Sequence, residues 1–223
     1  MLKDYLPADI DRKKFFSIFS FLSFILTIIF LIDLITQKSP DLNAPLINYL
    51  VANKGRFIIF ALLILFWVLF SIPLVIASGI ILAEKSKSIA FLATLLSAFG
   101  IMLLGFGVFV YICSFLSILA ASTNLNPEAT QYQAAFWGNL SYYLTDPGLM
   151  VWGFGQFLLS WLAWKSKVFP NWTAVTGLIG GVAGLLTLFV YQTSSLAMLQ
   201  ISSFAIWGLT SGIILLKKRE NVL

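Results

Sequence analysis

Six long apolar stretches, separated by short segments that hold most of the charge, leave this chain few ways to fold other than as a bundle of membrane-crossing helices. They run from Phe15 to Ile35, Phe57 to Ala83, Ile89 to Ala120, Gly148 to Trp164, Trp172 to Tyr191 and Leu196 to Leu216. A bilayer core of about 30 Å needs about 20 helical residues at 1.5 Å each, and inside lipid only helices and closed barrels satisfy every backbone group. With 60% hydrophobic and 10% charged residues in 223, a water-soluble fold has too little polar surface to cover its core. The sequence therefore predicts an all-α, polytopic bundle that occupies residues 1–223 as a single membrane domain. The run from Phe15 to Ile32 is longer than a signal-peptide core and has no A-x-A-like site after it, so it is expected to stay as the first helix.

The basic residues assign an orientation, because lysine and arginine near helix ends are retained in the cytoplasm. Lys3, Arg12, Lys13 and Lys14, then Lys85 and Lys87, then Lys165 and Lys167, then Lys217, Lys218 and Arg219 fall on the side of the N-terminus, against Lys38, Lys54 and Arg56 on the other. Eleven against three predicts six crossings with both ends inside. The net charge of +5 is thus spent on orientation; no basic stripe exists that would suit a nucleic acid.

Between the third and fourth stretches the residues from Ser122 to Pro147 carry helix signals: Asn126 as a cap, Pro127 at the first position and Glu128 in the first turn. Tyr132, Phe136, Leu140 and Tyr143 follow at helical spacing among polar residues. A short amphipathic helix on the outer surface is predicted, with Trp137, Tyr142 and Trp152 in an outer aromatic belt and Trp161, Trp164 and Trp172 in an inner one. The third stretch is longer than one span requires, so it must tilt, kink or project beyond the lipid, with Gly100, Gly105 and Gly107 as candidate points of irregularity, and Pro73 is expected to kink the second.

Catalytic signatures are absent. There is no histidine, which removes the commonest general base and zinc ligand, and no G-x-S-x-G, H-E-x-x-H or phosphate-binding loop occurs. The lone Cys113 permits no intrachain disulfide. No metal or cofactor is expected, and the balance is against an enzyme. The remaining candidates for ligand binding are few. Asp33 is the only acid inside an apolar run, about 27 Å along its helix by the usual rise, and so lies at the outer interface. Asp41, Glu128, Asp146, Lys38, Lys54 and Arg56 share that side. Gln156 is the strongest polar group at mid-depth, with Ser160 on the same face, and it must hydrogen-bond to another helix. Ser20, Ser23 and Thr27 give the first helix a mildly polar face. For packing, Gly177 with Gly181, Gly180 with Gly184, and Gly208 with Gly212 form G-x-x-x-G pairs, which predict a tight hairpin of the last two helices and leave a glycine face open to a homo-oligomer.

The stretch Leu158-Leu159-Ser160-Trp161-Leu162-Ala163-Trp164-Lys165-Ser166-Lys167-Val168-Phe169-Pro170-Asn171-Trp172, followed by Gly177-Leu178-Ile179-Gly180-Gly181, resembles the inner hairpin of a bacterial six-helix membrane family, the domain of unknown function 4386. The likeness lies in a polar-ended fourth helix, a short basic loop ending in Phe-Pro, a nearby Trp and a glycine-rich fifth helix. It implies a bacterial cytoplasmic (inner) membrane protein and supplies no activity. Three functions are therefore expected in order: binding of a hydrophobic or lipid-like small molecule, or of a partner helix, within surrounding membrane lipid; a small transporter or channel through Asp33, Gln156 and the stretch near Gly105; and an intramembrane enzyme acting on lipid through Asp33 and Glu128.

Overall fold

The computed structural model describes residues 12–36, 46–121, 127–187, 189 and 194–217. These form six helices and no strand among the described residues: α1 Arg12–Thr36, α2 Leu46–Leu82, α3 Lys87–Ala121, α4 Pro127–Ser166, α5 Asn171–Leu186 and α6 Ser194–Lys217. Each helix runs antiparallel to the next and packs against it, and α6 closes the ring onto α1. Both described ends of the chain, Arg12 and Lys217, lie at the same end of the bundle, opposite Asp33 and the start of α2.

Besides α5, which ends at Leu186 and not at the expected Tyr191, three features differ from the sequence reading. The segment expected as a separate amphipathic helix is the first half of α4, a single helix of 40 residues with Pro147 inside it. Proline removes one backbone bond, but both halves lie on α3: Ser141 Oγ donates to the Gly107 carbonyl at 3.0 Å, and Gly148 faces the backbone of Leu104. Tertiary packing carries the helix across the proline. α2 likewise begins 11 residues before Phe57, at Leu46; polar residues end an apolar run without ending a helix. The third difference concerns α3, which is one unbroken helix of 35 residues. Its glycines are contact points: Gly100 lies against Gly148 and Trp152, Gly107 against Leu144 and Thr145, and Gly105 against Val68 of α2. Glycines let two helix backbones meet, and α3 with α4 forms the most extensive helix pair.

Among the described residues, four helices contain segments long and apolar enough to cross a membrane, Lys14–Asp33, Ala52–Leu82, Lys87–Ile118 and Ser195–Leu216. The 16-residue α5 is apolar but shorter. Polarity is arranged inside out. Ile25, Leu62, Phe91, Phe106 and Val182 are exposed, whereas Ser17, Ser20, Ser23, Thr27, Ser71, Ser78, Gln156, Gln200 and Ser211 are buried. Ser23 and Ser71 share a hydrogen bond of 2.9 Å, Trp67 donates to Thr27 at 2.9 Å and Trp207 donates to Ser78 at 2.9 Å. The polar face expected on α1 is thus the face turned to α2 and α6.

Trp67 of α2, Trp152 of α4 and Phe204 of α6 meet at the centre, with ring centroids 5.0 to 6.3 Å apart across the aromatic cluster that also includes Phe30. Trp152, expected in the outer belt, is fully buried there. Trp164 and Trp172, at the opposite end, are exposed. Gly177, Gly180, Gly181 and Gly184 face α4 and α6, but Gly208 and Gly212 face Ser20, Phe21 and Phe24 of α1, with Leu74 of α2. The glycines of α6 therefore join the two ends of the chain and do not make the last hairpin.

Candidate ligand-binding cavity

At the end of the bundle away from the termini, α1 to α4 surround a cavity of about 300 Å³, at the lower limit of small-molecule sites. The last turns of α1 contribute Phe30 and Asp33, and the extended start of α2 contributes Arg56, Phe57 and Phe60. α3 adds Val108, Tyr111 and Ile112, which share one helical face, and α4 adds Gly138, Ser141, Tyr142 and Thr145. Phe30 stacks on Phe60 at 5.3 Å, and Phe57 and Tyr111 both pack on Phe115 at 5.7 and 4.3 Å. The walls are aromatic and held from behind.

The polar part is an ion pair. Arg56 Nη2 lies 2.8 Å from Asp33 Oδ1, Nε donates to the same oxygen at 3.0 Å, and Nη2 also donates to the Asp33 carbonyl at 2.9 Å. A carboxylate near a helix C-terminus opposes the helix dipole, and the last carbonyls there lack helical partners. Arg56 answers both needs, so it caps α1 while neutralising Asp33. About a third of Arg56 and a quarter of Asp33 stay exposed, at 32% and 26%, leaving the pair within reach of a ligand's polar group.

Gln156 and Ser160 do not join this cavity. They lie in the second half of α4, where Gln156 Nε2 donates to Ser203 Oγ at 2.6 Å, Ser203 donates to the Gln200 carbonyl at 2.8 Å, and Gln200 Nε2 donates to the Leu149 carbonyl at 3.1 Å. Gln156 Oε1, Gln200 Oε1, Ser160 Oγ, Ser97 Oγ and Trp152 Nε1 are buried without a hydrogen-bond partner among the described residues. Each such group costs about 1–3 kcal/mol. The Glu128 side chain and Asp41 lie outside the described residues. No group of three or more metal-ligating side chains occurs among the described residues.

The sequence placed Asp33 and Arg56 on one side of the membrane, but Tyr111, Phe57, Phe60 and Ser141 went unremarked as site residues. Their signal was faint: Gly138, Ser141, Tyr142 and Thr145 recur at spacings of one helix face, which reads as amphipathicity until α3 is seen beside it.

Asp146, one residue before Pro147, is pushed above its ordinary value of 3.8 by burial. A raised folded-state pKa means that the folded protein binds the proton more readily than the unfolded chain, so the ionised carboxylate weakens the fold at neutral pH and the penalty fades as pH falls through the raised value. Asp146→Asn is expected to unfold at a higher temperature than the wild type at pH 7, with the difference vanishing below the ordinary aspartate range. Thermal unfolding of both proteins across pH checks this.

Long apolar helices with hydroxyls and amides turned inward define a helical integral membrane protein. Within that class the chain belongs to the family of the domain of unknown function DUF4386, whose family model matches residues 16–218. No curated protein and no solved structure matches the chain significantly.

Proposed function

We propose that this protein binds one amphiphilic, lipid-like molecule in the cavity between α1 and α4, in a bacterial inner membrane, with six crossings and both ends in the cytoplasm. The observation that carries the reading is an aromatic cavity with the Arg56–Asp33 pair among its lining residues. Apolar walls receive the hydrocarbon part, and the paired charges offer a donor and an acceptor to a head group. The excess of lysine and arginine at the terminal end supports the orientation, which would place the cavity on the outer side. A reporter fused at Asn139 is expected to read out as periplasmic; a cytoplasmic signal would reverse the topology.

Transport through a broken third helix loses its premise because α3 is continuous. An enzymatic role for Asp33 is disfavoured by its ion pair, which ties the carboxylate to a guanidinium and leaves no neighbouring base among the lining residues.

The test uses Gly138, where an added Cβ meets nothing within 4 Å, so that a larger side chain enters open space at the cavity without disturbing the helix. Protein extracted gently into lipid nanodiscs is expected to retain a stoichiometric lipid-like adduct by native mass spectrometry, and Gly138→Leu is expected to lose most of it while unfolding no lower than the wild type, since replacing a helical glycine favours the helix. A wild type with no retained adduct, or equal occupancy in the variant, overturns the reading.

A further inference from the structure

We propose a second binding site, independent of the cavity, in the seam where the glycine face of α5 closes over α4 and α6, and that it takes a small neutral hydrogen-bond donor. Four polar side chains meet α5 at its glycines: Ser160 stands opposite Gly177, Gln156 and Ser203 opposite Gly180, and Gln200 opposite Gly184. Gln156 is 3% exposed, and Ser160 and Gln200 are fully buried. Each presents an oxygen without a partner among the described residues.

The chemistry of the ligand follows from which atoms are unpaired. Gln200 must turn its NH₂ toward the Leu149 carbonyl, an acceptor, so its Oε1 is the free end. Ser203 gives its proton to the Gln200 carbonyl, so it can only accept from Gln156, and Oε1 of Gln156 is free as well. Two amide oxygens therefore await donors, and the Ser160 hydroxyl can give or accept a further bond. None of the seam groups is charged, and a bare ion in a low-dielectric seam without a counter-charge is prohibitively costly. The ligand is thus neutral: water, or a small polyol with several hydroxyls.

Space for it comes from α5. This is the shortest helix, it packs on α4 and α6, and its outer face of Val175, Ile179, Val182 and Leu186 is exposed. Its inner face carries no side chain at Gly177, Gly180 or Gly184 that would interlock with α4 or α6. The oxygens remain unpaired in the packed seam, and a small outward movement of α5 would let donors satisfy them.

The experiment places a thiol at the seam in a Cys113→Ala background, in proteoliposomes, and follows labelling by a small water-soluble thiol reagent. Ser160→Cys is expected to react several-fold faster than Leu162→Cys, a control buried in the apolar core. Slowing by glycerol at Ser160→Cys alone identifies a polyol as occupant; no slowing assigns the site to water. Labelling of Ser160→Cys no faster than the control overturns the proposal. Should that variant fail to fold, Ser160→Ala decides. Ser160 Oγ has no partner among the described residues to lose, so a lowered unfolding temperature supports an occupied site, and an equal or raised one refutes it.

Discussion

Gly100→Val is expected to abolish or severely reduce the folded protein. A methyl at this position would sit 2.7 Å from the Gly148 carbonyl and equally close to Trp152 Cα, with the Trp152 amide nearer still. These are backbone atoms of α4, so no rotamer change relieves the contact. α3 and α4 would have to separate along the most extensive helix pair, which also includes the close approaches at Gly107, Gly148 and Gly155. Overpacking a core costs about 1–3 kcal/mol where side chains can yield, and more where they cannot; a loss above about 3 kcal/mol is expected here. Gly55→Ala is the matched control. Gly55 lies within α2, and its Cβ would meet nothing within 4 Å, so alanine should stabilise the helix by up to about 1 kcal/mol. Folded yield and detergent unfolding of the two variants check the pair, and equal stability would refute the α3–α4 contact.

The second large effect is expected at Arg56. Arg56→Met leaves Asp33 without its cation and the Asp33 carbonyl with only the Thr36 hydroxyl as a side-chain donor, at a helix end whose dipole already disfavours the carboxylate. Because both side chains are partly exposed, solvent and salt screen the pair, and the stability loss should stay near 1 kcal/mol. Ligand retention should fall much further, about tenfold or more, since a hydrogen bond from a charged donor contributes about 1.5–3 kcal/mol. The double variant Asp33→Asn/Arg56→Met separates the two roles: it should regain stability because no lone charge remains, yet still fail to hold the ligand. Adduct occupancy by native mass spectrometry, set beside thermal unfolding, gives both readouts. Full retention in Arg56→Met would remove the charge pair from the site.

The contrast between these residues shows where sequence reasoning reached. Asp33 and Arg56 could be assigned to the same side of the membrane because helix length and charge position are one-dimensional quantities. That they touch depends on α2 continuing as a helix through Asn53, Lys54 and Gly55, which the end of an apolar run does not reveal. Gln156 was legible as a buried amide in need of a partner, since hydrocarbon offers none. Ser203 as that partner, and Gln200 beside it, required knowing which face of α6 meets α4. The glycines divide similarly. G-x-x-x-G spacing at 177, 180, 181 and 184 marks a smooth face, but the pair at 208 and 212 has the same spacing and serves α1, because spacing describes one helix and says nothing of its neighbour.

By itself the sequence determined the material of this protein: the six helices, the segments in which charge collects, and the family. These follow from the thickness of the bilayer and the need to satisfy each backbone group within its own segment. Only the tertiary structure decided what those helices do for one another. It carried α4 through Pro147, drew Trp152 from an expected interface into the centre, and set α1 to α4 around a cavity. Contacts between helices depend on rotation and register, which hydropathy leaves free when a helix is apolar on nearly every face.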